Sequence, residues 1–170
     1  MITVACLASL SLLLISSSLA RGEGANERNE NLKPIYLPEN RVFAAYVLRV
    51  QSNAELVSLE RSEAVYSALL NRYGIDPKYR KEAIAGLAQL HGSDLPSEWI
   101  AALKKIDREP VILDWNHAEK ESTDEQTDAV IADFGHLLAQ MPAEQLAAQR
   151  ANIHALARES KRPLVRSLGY

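Results

Sequence analysis

Gly74-Ile75-Asp76-Pro77-Lys78-Tyr79-Arg80-Lys81-Glu82-Ala83-Ile84-Ala85-Gly86-Leu87-Ala88-Gln89-Leu90-His91-Gly92 is the stretch that decides the fold class. Gly74 can take a positive φ and so stops the segment before it. Asp76 is suited to cap a new helix through its carboxylate. Pro77 then fits the first helical position, where a missing N–H costs nothing. Tyr79, Ala83, Leu87 and Leu90 follow at helical spacing, and Gly92 closes the element. The stretch reads as one complete helix between two breakers.

The same pattern extends in both directions. Upstream, Ser62 to Tyr73 places Val65, Leu69 and Tyr73 at i, i+4 and i+8. Further back, Val42 to Val50 is a short apolar run that fits either a strand or a helix; Ala44, Ala45 and Leu48 favour helix. Downstream, Pro96 opens a helix with Trp99, Ile100, Leu103 and Ile106 on one face. The loop around Val111-Ile112-Leu113 has room for a short strand. Ser122 and Glu125 have capping-box spacing, and the helix they begin turns Val130, Ile131, Phe134, Leu137 and Leu138 inward. Pro142 opens another, with Leu146, Ile153 and Leu156. Pro163 to Tyr170 reads as the first two turns of a last amphipathic helix with no further partner in sequence. The expected fold is all-α, a HEAT-like α-solenoid or an irregular antiparallel array of about five to six helices.

A weak internal echo favours the solenoid. Asp76-Pro77-Lys78-Tyr79-Arg80 resembles Arg162-Pro163-Leu164-Val165-Arg166, with Pro and then Arg three residues later at a helix start. The offset is about twice a HEAT-type period of roughly 40–47 residues. No copy is recognisable midway.

The N-terminal residues belong to a different class. Residues 1–20 carry no charge, and Ile2 to Ile15 is apolar apart from Thr3, Ser9 and Ser11. Ser18 and Ala20 supply the small side chains that a signal peptidase needs at −3 and −1. No Lys or Arg precedes the run, so the positively charged start usual in a leader is missing. The reading is a signal peptide over 1–20, a flexible polar lead-in over 21–40, and a helical, repeat-like domain over 41–170 that is incomplete at its C-terminus. The expected location is periplasmic or secreted. Cys6, the one cysteine, lies inside the leader, so the exported chain would have no thiol and would rely on its apolar core.

Composition removes several function classes. A chain of 170 residues with net charge −3 lacks the surplus of Lys and Arg that binding nucleic acid requires. One cysteine excludes a disulfide framework and a cysteine-rich zinc site. No Gly-x-Ser-x-Gly elbow, phosphate loop or dinucleotide fingerprint occurs. The histidines His91, His117, His136 and His154 include no i, i+4 pair that would put two ligands on one helical face. His91 stands at a helix end, where a cation suits the dipole. His136 and His154 read as boundary or surface residues. Asp114-Trp115-Asn116-His117, with Glu119 beyond, is the densest polar cluster on an expected loop and the first place to look for a small site. Its plainer reading is a solvated loop. Asp107 to Asp133 carries nine acids against Arg108 and Lys120, whereas Arg158, Lys161, Arg162 and Arg166 near the end oppose only Glu159. That asymmetry suits either solvated faces or the pairing of neighbouring elements. No residue is assigned a catalytic, cofactor-binding or metal role.

Three stretches carry a resemblance: Arg72 to Ala83, Gly86-Leu87-Ala88, and Arg162 to Tyr170. Together they resemble the helical, HEAT-like region of large secreted haem-binding proteins of the planctomycete type, over roughly residues 41–170. The family attaches haem through Cys-x-x-Cys-His, which this sequence lacks, so no haem residue maps onto any position. The resemblance implies an exported helical scaffold associated with electron transfer. The expected function is that of a non-catalytic scaffold or interaction domain without a cofactor. It would work with a protein partner or a missing C-terminal domain, and with no membrane beyond the leader. The alternative is a truncated secreted c-type cytochrome whose haem module is missing from this chain.

Overall fold

The computed structural model describes residues 32–109, 111–112 and 124–169. All of these fall in the second of the chain's two units, Asn31–Tyr170. Among them are nine helices: α1 (Arg41–Arg49), α2 (Asn53–Val57), α3 (Glu63–Asn71), α4 (Pro77–His91), α5 (Leu95–Arg108), α6 (Asp124–Leu138), α7 (Ala143–Ala148), α8 (Arg150–Glu159) and α9 (Pro163–Ser167). The described residues form an all-α array in which α3, α4, α5 and α6 pack in succession. The only β features among them are the isolated parallel bridges Lys33–Leu59 and Arg72–Ile112.

Local capping chemistry accounts for most of the boundaries. Asp76 accepts from the Lys78 N–H at 2.9 Å and starts α4 with Pro77 in its first turn. Gly92 ends the same helix in the left-handed region at φ 62°, and Gly74 has φ 75°. Ser62 caps α3 and Asp94 caps α5 through side-chain oxygens. Asn40 accepts from Val42 and Phe43 and so fixes α1 as a helix. Ser52 and Glu55 form a full capping box around the one-turn α2, which the apolar pattern does not reveal. The region expected as one helix from Pro142 is two, α7 and α8, divided at Gln149. The Gln149 amide nitrogen donates to Asp94 at 2.9 Å and to Ser97 Oγ at 3.0 Å, which ties that break to the start of α5.

One apolar core runs through the array. It includes Val65 and Leu69 of α3, Ala83, Ile84 and Leu87 of α4, Trp99, Leu103 and Ile106 of α5, and Val130, Ile131 and Phe134 of α6. The Trp99 indole N–H donates to the Phe134 carbonyl at 2.8 Å, so its polar edge is satisfied inside the core. Two expected inward positions differ. Leu90 is 58% exposed, and Tyr73 lies beyond the end of α3 and is exposed. Gly86 lets α4 approach Tyr66 of α3, since a Cβ there would fall 2.2 Å from the ring. In α9, Val165 is buried, and the helix packs against α6 and α8. Of the expected lead-in, Lys33 bonds the backbone of Ser58 and Glu60, while Ile35 and Leu37 pack on the core.

Candidate functional site

Four arginines solve one recurring problem, the unpaired carbonyls at helix C-termini. Arg61 donates to the Val57 and Leu59 carbonyls after α2, at 3.0 and 2.6 Å, and pairs with Glu82 at 2.8 Å. Arg72 reaches the Leu48, Gln51 and Arg49 carbonyls at the end of α1. Arg80 reaches those of Leu69, Leu70 and Arg72 at the end of α3 and pairs with Asp133 of α6 at 3.1 Å. Arg166 donates to the Ser160 and Lys161 carbonyls after α8. The echoed Pro-x-x-Arg motifs thus place Arg80 and Arg166 in equivalent local roles, one buried and one exposed. Arg72 and Arg80 are fully buried. Burial pulls the Arg80 guanidinium below its ordinary value, and Asp133 offsets part of that. The sequence pattern marks these arginines as helix-boundary residues but does not show that two of them lie inside the core.

The described histidines lie apart. His91 Nδ1 is 2.9 Å from Glu98 Oε1, and Nε2 lies 3.9 Å from Glu63. The hydrogen bond to Glu98 raises the imidazole above its usual range. His136 and His154 are exposed. Asp114, Trp115, Asn116, His117 and Glu119 lie outside the described residues. Of the acidic stretch, Asp133 holds Arg80, Asp107 accepts from Ser160 Oγ at 2.6 Å, and Asp124 pairs with Arg162 at 3.1 Å. Part of the charge asymmetry therefore joins elements of the same chain. Among the described residues no group of three or more His, Cys, Asp or Glu could hold a metal ion. No helix among them is long and apolar enough to cross a membrane.

Two features with capacity for binding involve α1. Its residues Val42, Phe43 and Tyr46 share one face at i, i+1 and i+4 and are 78, 63 and 62% exposed. Tyr36, in the segment before it, is also exposed. The opposite face, with Arg41, Ala44, Ala45, Leu48 and Arg49, lines a cleft of about 500 Å³ against α3 and Ile112. α1 is thus apolar on both sides: Val42, Phe43 and Tyr46 face solvent, whereas Ala44 and Leu48 are buried.

No family model matches this chain. Neither does any curated protein or solved structure. Any functional assignment therefore rests on these faces and their chemistry.

Proposed function

We propose that this chain is an exported, non-catalytic helical scaffold that docks a protein partner through the outward face of α1. The observation that carries this reading is the exposure of Val42, Phe43 and Tyr46 on one side of a capped helix. Bulky apolar side chains grouped on a surface are the usual core of a protein interface, and aromatic residues are enriched there. The buried cations Arg72 and Arg80 support a structural role for the interior, since both engage helix-end carbonyls. Export rests on the uncharged apolar residues 1–20 and the Ser18/Ala20 pair. The resemblance over residues 41–170 implies a partner from a secreted electron-transfer assembly.

The test is a photo-crosslinking amino acid placed at position 43 in producing cells, with position 104 on the exposed part of α5 as control. The expected result is one discrete adduct from position 43. The purified adduct partner should bind the full chain and lose at least about tenfold in affinity for Phe43→Ser, the size of a modest interface hot spot. No adduct from position 43, or equal affinity for Phe43→Ser, overturns the reading. N-terminal sequencing of the exported chain, expected to begin after Ala20, tests the leader separately.

A further inference from the structure

The outward face of α1 carries more than apolar exposure, because its two ends differ in charge. Glu39 stands just before the Asn40 cap, and Arg49 is the last residue of the helix. Both are exposed, and neither makes an ion pair among the described residues. Between them Phe43 and Tyr46 lie about one turn apart, with Val42 beside them. Arg49 follows Tyr46 by three positions and Val42 by seven, which puts it at the border of the same face. Arg41 turns about 100° away from Val42, toward the cleft that it lines.

We infer that a second copy of this chain covers the face, with the two α1 helices antiparallel about a two-fold axis. This pairing rests on the reading of that face as a docking surface and names its occupant. In the register that sets Phe43 against Tyr46 of the other copy, position 39 falls opposite position 50. Glu39 then lies beside Arg49 of the other copy, and the symmetry forms the aromatic contact and the ion pair twice. A parallel arrangement would set Glu39 against Glu39 and Arg49 against Arg49. The antiparallel one makes a single patch complementary to itself, which an isologous contact requires.

The size of the patch is consistent with this. Tyr36, Val42, Phe43 and Tyr46 are 90, 78, 63 and 62% exposed. Together they present on the order of 500 Å² to solvent. With Glu39, Ala45 and Arg49 at its borders, the self-contact covers roughly 600 Å² per copy, the low end for a specific interface. The result is a reversible dimer, with a dissociation constant on the order of 10 μM.

Sedimentation equilibrium on the full chain and on charge-reversed variants tests the pairing. The wild-type chain should dimerise, and Phe43→Ser should abolish dimerisation. Glu39→Arg and Arg49→Glu, both on exposed side chains, should each weaken it at least about tenfold, since like charges then face each other twice. An equal mixture of these two variants should regain wild-type affinity. In the mixed pair the reversed charge at 39 faces the reversed charge at 49, and Glu39 faces Arg49 unchanged. A chain that stays monomeric up to about 100 μM, ten times that constant, overturns the pairing. So does a dimer that Phe43→Ser leaves intact, or a mixture that associates no more tightly than either variant alone. The adduct from position 43 separates this pairing from the docking reading. Twice the mass of the chain supports the second copy. An adduct with a different protein overturns the second copy and keeps the docking face, and no adduct overturns both.

Discussion

Arg80 and Asp133 meet at 3.1 Å across α4 and α6, the guanidinium fully buried and the carboxylate partly open to water. The same guanidinium closes the C-terminal carbonyls of α3, so one side chain joins three helices. Arg80→Met leaves those carbonyls and a carboxylate without their cation. It should lower stability by about 3–5 kcal/mol. Asp133→Asn keeps the three carbonyl bonds and should cost only about 1–3 kcal/mol. Denaturant midpoints measure both. Equal losses would mean that the ion pair, and not the helix-end capping, dominates.

The exposed end of α4 gives a sharp contrast within one helix. Leu87 is 5% exposed and Leu90 58%. Leu87→Ala should cost about 2–5 kcal/mol as a core truncation, and Leu90→Ala should change stability by less than about 0.5 kcal/mol. Thermal or urea unfolding distinguishes them. Similar losses for the two would place the buried face of α4 elsewhere.

His91 provides a pH-dependent contact. Its imidazole titrates above the ordinary 6.5, chiefly because of the hydrogen bond to Glu98. A raised folded-state value means that the contact contributes fully below 6.5 and is lost as pH rises through the raised value. The melting temperature of the wild-type chain should therefore fall toward that of His91→Gln between about pH 6 and about pH 8. A gap that widens over this range would contradict the assignment. Asp94 has the opposite sign. Its bonds to Ser97 and Gln149 hold it below the usual 3.8, so its contribution is lost on acidification.

The α1 surface should separate binding from folding. Phe43→Ser and Tyr46→Ser remove exposed side chains and should each shift unfolding free energy by no more than about 0.5 kcal/mol. A loss of several kcal/mol on chemical denaturation would show that these rings support the fold and do not form a free face.

Much of the helical framework was legible in residues close together in sequence. Asp76-Pro77, Gly92 and the apolar spacing of α5 and α6 match the structure because a cap or a turn involves groups within a few residues of each other. The short α2 and the break at Gln149 were not legible. The first is a single turn too brief for a period, and the second is tied to α5 by contacts with Asp94 and Ser97, more than fifty positions away. The outward face of α1 was not legible either, because Val42, Phe43 and Tyr46 are the bulky residues that a short apolar run would be expected to bury.

The sequence by itself determined an all-α chain, the positions of its main helix starts and stops, and the absence of a haem-attachment motif. Only the tertiary structure decided that Arg72 and Arg80 lie inside the core, that Leu90 faces water, and that α1 turns Val42, Phe43 and Tyr46 outward. Helix formation follows from local hydrogen bonds and spacing. The face a helix buries depends on which neighbours reach it, and the charge a core accepts depends on which carbonyls need a donor there.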